Sequence, residues 1–161
     1  LEGLPLVLYH VPGRTGQRLP AAQLADLTNV SGILALKEAT GDVGFGAAVI
    51  SQTSKPVLSG DDFSYLGLVA VGGAGCISVV SNVDPARTVQ VFDAYKTGDV
   101  ETAQRVMMEI LPLVAWLFSD SNPVPCKAAL AELGLCGPAP RAPLAPFSGE
   151  SPALMLQALG L

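Results

Sequence analysis

Short runs of Val, Ile and Leu alternate with helix-length stretches along the first half of the chain. The runs fall at residues 6–9, 33–37, 56–59 and 75–79, and each closes on a polar or glycine-rich turn. Helical spacing predicts helices between them at 21–27, 46–52 and 65–71, with Pro20 suited to the first turn of the first. Strands that are apolar along their whole length and separated by crossover helices predict a parallel sheet. Beyond the fourth run the pattern changes. Asp84-Pro85 opens a helix reaching about Lys96, and Gly98-Asp99 breaks it. Within residues 100–118, Ala103, Val106, Met107, Ile110, Leu111, Val114 and Leu117 recur at intervals of three and four, which puts them on one helix face. Asn122-Pro123-Val124-Pro125 predicts a turn leading into a helix at 127–133; residues 137–146 are Pro-rich and irregular, and a last short helix covers 152–159.

The fold class is therefore α/β, with a helical C-terminal region. Four βα units make half of an eight-stranded (β/α)8 barrel, or else a small doubly wound open sheet, and periodicity does not choose between them. A complete barrel runs to about 250 residues. On the barrel reading, residues 1–97 form the half barrel and 98–161 the helical region, and the bare sheet edges call for a partner, most simply another copy of the chain.

Composition narrows the function classes. The chain has 161 residues, 50% of them apolar, enough for a hydrophobic core, and a net charge of −5 with no basic stripe, which argues against nucleic acid as a partner. The apolar stretches at 66–71 and 110–118 end before spanning length, so no membrane helix is expected. The opening Leu1-Glu2-Gly3-Leu4-Pro5 has no initiator Met, basic region or cleavage site, which predicts that it is no signal peptide and that the chain starts part-way into a longer one. Cys76, Cys126 and Cys136 form neither an even disulfide framework nor a metal-ligand spacing, as expected of a reducing cytoplasmic setting. With His10 the single histidine, no catalytic metal is expected, and no other cofactor is called for.

Lys37 closes the run Ile33-Leu34-Ala35-Leu36, at the C-terminal end of a strand. Barrel active sites gather at such ends, and a lysine that attacks a carbonyl needs the apolar surroundings that favour its neutral amine. Taken alone, a strand-end lysine more often extends its ammonium into solvent. Tyr9 ends the first run and leads into a turn carrying Arg14 on the same rim; a phenol can relay protons and a guanidinium can grip a carboxylate bidentately. Asp61-Asp62 fits a turn or helix cap better than a two-metal site. Gly72-Gly73-Ala74-Gly75 precedes a strand instead of opening a helix, so it suits tight turning better than phosphate binding.

Taken together, Tyr9-His10-Val11-Pro12-Gly13-Arg14-Thr15-Gly16, Leu36-Lys37-Glu38-Ala39-Thr40-Gly41, Leu58-Ser59-Gly60-Asp61-Asp62 and Gly72-Gly73-Ala74-Gly75-Cys76-Ile77-Ser78-Val79 resemble the dihydrodipicolinate synthase family in order and spacing. Asn122-Pro123-Val124-Pro125-Cys126-Lys127 extends the likeness over essentially the whole chain. The resemblance implies the C-terminal half of a TIM barrel, strands five to eight, and a class I aldolase-type lyase that condenses pyruvate with aspartate semialdehyde in lysine and diaminopimelate biosynthesis. It also implies roles: Lys37 forms the imine with pyruvate, Tyr9 shuttles protons, Arg14 binds the aspartate semialdehyde carboxylate, and Gly60 and Ile77 shape the cavity. The threonine pair and the cross-subunit tyrosine that the family draws from its first four βα units have no counterpart in this sequence. The Gly13-Arg14-Thr15 triplet favours the synthase over the related N-acetylneuraminate lyases, and another pyruvate aldolase of the superfamily, acting on a sugar acid or hydroxy-oxo acid, is the alternative. A catalytically inactive half barrel that serves in assembly is the reading from another class. His10 stands where the family commonly has asparagine, a change expected to alter the hydrogen bonding around Tyr9.

Overall fold

A computed structural model describes residues 3–161 of the chain; Leu1 and Glu2, the first positions of the expected half barrel, lie outside the described residues. Two compact units divide after Ser78.

Among the described residues of the first unit the sheet has three strands, β1 (Leu6–His10), β2 (Ile33–Glu38) and β3 (Val57–Ser59), parallel and in that order. Parallel neighbours require crossovers, which helix α2 (Ala21–Thr28) supplies between β1 and β2, and α3 (Val43–Ile50) between β2 and β3. A short helix α1 (Pro12–Thr15) follows β1, and α4 (Tyr65–Ala70) follows β3. The expected fourth strand at 75–79 is corrected to a single parallel bridge between Ser59 and Cys76. Its backbone still joins the sheet, since Ala74 N donates to Val57 O at 2.8 Å and Ile77 N to Ser59 O at 2.8 Å. The reason is local: Gly72 and Gly75 hold φ of 108° and 137°, and by Val80 the chain has entered a 3-10 turn, so too few extended residues remain.

The β1–β2 ladder contains a bulge. Leu6 pairs with Ile33 but Val7 pairs with Ala35, leaving Leu34 as an extra residue in β2. From there the pairs run Leu8–Leu36, Tyr9–Lys37 and His10–Glu38, and β2 continues onto β3 with Lys37–Leu58 and Glu38–Ser59. Paired residues of parallel strands share a face. Leu36 and Val57 therefore point to the helix side, where they form a buried cluster with Leu24, Ala25, Val49 and Leu68. The opposite face carries Val7, Tyr9, Ala35, Lys37 and Leu58, and Val7 and Tyr9 on it are 49% and 46% exposed. Coverage on both faces, expected of continuous apolar strands, is thus full on one and partial on the other, where Ala35 is buried but Val7 and Tyr9 are not.

The second unit begins with the 3-10 turn Val80–Asn82 and contains α5 (Pro85–Lys96), α6 (Val100–Leu117), α7 (Val124–Glu132) and α8 (Pro152–Ala158). Asp84 caps α5 by accepting from Arg87 N at 3.1 Å, and Asp99 caps α6 by accepting from Thr102 N at 3.0 Å, as the Asp-Pro and Gly-Asp boundaries predict. α6 packs on α5 and buries a stripe that includes Ala103, Val106, Met107, Ile110, Val114 and Leu117. Leu113 and Trp116 belong to that stripe and Leu111 does not, being only half-buried. Pro112 sits inside this helix on its exposed side, where solvent can serve the carbonyl that loses its donor. Helix α7 begins at Val124, inside the expected turn, and the segment before α8 is irregular as expected.

Candidate active site

The register of β1 against β2 decides which side chains meet at the C-terminal end of the sheet. Tyr9 and Lys37 are partners across the ladder, and the Lys37 Nζ lies 4.3 Å from the centroid of the Tyr9 ring. An ammonium over a phenol face is held by the ring quadrupole, and a half-buried lysine stem rests against the same surface. The apolar enclosure expected around Lys37 is partial, because the face on which it stands is open.

Gly60 touches this lysine directly. A Cβ built there would lie 2.8 Å from Lys37 Cε, 2.9 Å from Lys37 Cγ and 2.7 Å from Ala39 Cβ, all far inside contact distance. Its backbone N–H donates to Glu38 O at 2.6 Å, so the close approach is built into the strand pairing and only glycine fits. Ile77 follows the Cys76 bridge on the far side of β3 and is 41% exposed. Arg14 stands on α1, exposed, just beyond the C-terminal end of β1. Lys37 thus meets both Tyr9 and Gly60, while Arg14 follows the C-terminal end of β1 and Ile77 N donates to Ser59 O at the end of β3.

Behind the rim lies a polar layer that sequence reasoning placed differently. His10 is 5% exposed and points to the helix side, away from Tyr9, which corrects the expectation that it bears on the hydrogen bonding of Tyr9. Its Nδ1 lies 3.4 Å from Glu38 Oε1, and the same oxygen accepts from Thr40 N at 2.9 Å. Asp61 accepts from Ser64 N at 2.8 Å and so serves the turn as expected, whereas Asp62 is a buried acceptor of the Ser78 hydroxyl, sixteen residues on. Cys76 sits beside them with its thiol pushed up to about 12, chiefly by burial and also by the Asp62 carboxylate, against a hydrogen bond from Tyr65 and the charge of Lys37. Among the described residues no cluster of His, Cys, Asp and Glu is arranged to hold a metal ion, and no helix is long and apolar enough to cross a membrane. A separate cavity of about 670 Å³ in the second unit is lined by Pro112, Trp116, Phe147, Glu150 and Met155 and contains none of the rim residues.

Residues 1–159 match the dihydrodipicolinate synthetase family. The 4-hydroxy-tetrahydrodipicolinate synthase of Methanoculleus marisnigri is 44% identical over 144 residues, which are 88% of this chain and 50% of that protein. Among solved structures, the chloride-inhibited dihydrodipicolinate synthase of Acinetobacter baumannii complexed with pyruvate superposes with a TM-score of 0.91 at 37% identity, over 98% of this chain and 56% of that one. A dihydrodipicolinate synthase variant described as monomeric superposes with a TM-score of 0.91 at 35% identity, over 96% of this chain and 55% of that one. The chain spans about half the length of the curated relatives it matches.

Proposed function

We propose, from the premise that the chain belongs to the dihydrodipicolinate synthetase family, that its open sheet face is the pyruvate-binding half of a class I aldolase-type active site. The observation that carries the reading is the pairing of Tyr9 with Lys37 on that face, at the C-terminal strand ends. In this reading β1, β2, β3 and the Cys76 bridge are strands five to eight of a (β/α)8 barrel. Residues 1–97 form the half barrel and 98–161 the helical region, so the functional boundary follows α5 although the compact units divide after Ser78.

The chemistry follows from the groups present. The neutral amine of Lys37 attacks the keto carbon of pyruvate, and the carbinolamine loses water to give an imine, with the Tyr9 hydroxyl passing protons to and from the departing oxygen. Loss of a methyl proton then gives an enamine that adds to the aldehyde of aspartate semialdehyde, and transimination frees Lys37 as the product cyclises. Arg14 holds the aspartate semialdehyde carboxylate at the rim, and Gly60 and Ile77 shape the wall beside pyruvate. Among the described residues β1 is an edge strand, and that edge supports assembly with further polypeptide, a second copy of the chain included.

The test is intact mass after incubation with pyruvate and borohydride, which adds roughly 72 Da when an imine is trapped. An adduct absent from Lys37→Ala supports the reading, and condensation with aspartate semialdehyde compared with sugar-acid cleavage separates it from the related lyases. No adduct on this chain overturns its standing as a working pyruvate site and leaves a half barrel acting in assembly.

A further inference from the structure

We infer that His10 is a positioning residue that fastens the Arg14-bearing segment, residues 11–19, to the C-terminal end of the lysine strand. The proposal rests on the reading of Arg14 and Lys37 given above. Three attachments converge on this one residue. Its carbonyl accepts from Ala39 N at 2.9 Å, which ties β1 to the residue just past β2. Its Nδ1 lies 3.4 Å from Glu38 Oε1, next in sequence to Lys37. Its Nε2 accepts from Leu19 N at 3.3 Å.

The last contact closes a loop. His10 directly precedes the segment, and its own ring catches the amide at the segment's far end, with α1 and Arg14 between the two. It also points to one tautomer. A ring nitrogen that accepts a hydrogen carries none, so the hydrogen sits on Nδ1 and is donated to Glu38. His10 and Glu38 are 5% and 3% exposed, so the bond between them has no water as a ready substitute, and the Leu19 bond is part-buried.

Other groups reinforce the same closure from outside. The Phe45 ring stacks on His10 at 5.5 Å between centroids, and Arg18 lies over the other partner of that stack at 5.3 Å from the Phe45 centroid. Arg18 also reaches Asp42 at 3.1 Å, but both side chains are about half exposed, at 58% and 48%, so this pair contributes little by itself. The His10 contacts thus fasten the segment to the end of β2 beside the packing of Leu19 on the helix-side core, and through the segment they bear on the distance between Arg14 and the lysine.

The experiment uses the full chain with ¹⁵N-labelled histidine and backbone amides. Nitrogen shifts that report hydrogen on Nδ1 are expected. In His10→Phe, which keeps an aromatic ring against Phe45, Leu19 amide exchange should rise roughly tenfold, as for loss of one buried hydrogen bond. Glu38→Gln, whose carbonyl still accepts from Nδ1, should leave the Leu19 rate within about twofold. On the chemistry, His10→Phe should raise the half-saturating aspartate semialdehyde concentration roughly tenfold while borohydride trapping of pyruvate stays within about twofold. Hydrogen on Nε2, unchanged Leu19 exchange in His10→Phe, or an equal loss in trapping and in aspartate semialdehyde binding overturns the proposal. If the unaltered chain traps no pyruvate, the aldolase reading fails by itself, and the tautomer and exchange rates still decide whether His10 fastens the segment; if His10→Phe does not fold, the tautomer and Glu38→Gln decide it.

Discussion

The two faces of the sheet are made from alternate residues of the same strands, yet their surroundings differ. On the helix side Leu36 is fully buried and Val57 is 2% exposed, whereas on the other side Val7 and Tyr9 are 49% and 46% exposed. Lys37 and Leu36 are neighbours in sequence and stand on opposite sides of that division. The first face closes a core against α2, α3 and α4; the second carries Tyr9 and Lys37, the groups proposed to react, and is the more open of the two among the described residues. In such a molecule stability and chemistry separate residue by residue, and substitutions on the two faces should leave different signatures.

The largest effect expected is on the open face. Lys37→Ala should abolish the pyruvate adduct altogether while changing thermal stability little, since it removes a half-buried side chain without opening the core. An unfolded Lys37→Ala chain would erase the distinction between the faces. Leu36→Ala should do the reverse, costing about 2–5 kcal/mol in denaturant unfolding through the lost contacts and the cavity left behind. A cost under about 1 kcal/mol would mean that the helix-side cluster is not the core of the first unit.

Gly60→Ala sharpens the comparison because a Cβ there meets the lysine of the open face. The added methyl meets Ala39 and the Lys37 stem, so trapping of pyruvate should slow roughly tenfold as the amine is displaced, with a smaller change in unfolding. Thiol labelling should then grade the cysteines by surroundings: exposed Cys136 should react quickly in the native chain, and Cys76, its thiol pushed up to about 12, slowly. Equal rates would show that the rim around Cys76 is open to solvent. The smallest effect concerns Asp42, whose carboxyl is held below its usual value mainly by accepting from Phe45 N, and also by Arg18. A carboxylate lowered on folding stabilises above its unfolded value, and that contribution fades as acid takes the pH down through the folded one. The Phe45 amide shift in an acid titration should therefore move at a lower pH than that of a free aspartate.

Much of this was legible in the residues themselves. Continuous apolar runs placed β1, β2 and β3, and Asp84-Pro85 and Gly98-Asp99 placed the starts of α5 and α6, because caps and buried strands leave local marks. The run at 75–79 did not become a strand, since glycines with positive φ consume its beginning and a 3-10 turn its end. Helix α1 read as a turn because Pro12-Gly13 disfavours anything longer than the one turn it forms. In α6, Leu111 fits the spacing but Leu113 and Trp116 take the buried positions, a choice made by what packs against the helix. At the site, Lys37 and Tyr9 stood out as strand-end residues. Their contact, and the turning of His10 to the other face, depend on inter-strand register, which a single strand does not display.

Register in turn depends on Leu34. Had the ladder kept step after Leu6 and Ile33, Tyr9 would face Leu36 and His10 would face Lys37; the one extra residue moves each partner along by one. The count of residues in the first part of β2 therefore carries information as parity. An odd insertion or deletion there would trade the lysine's side of the sheet for the leucine's, and an even one would not.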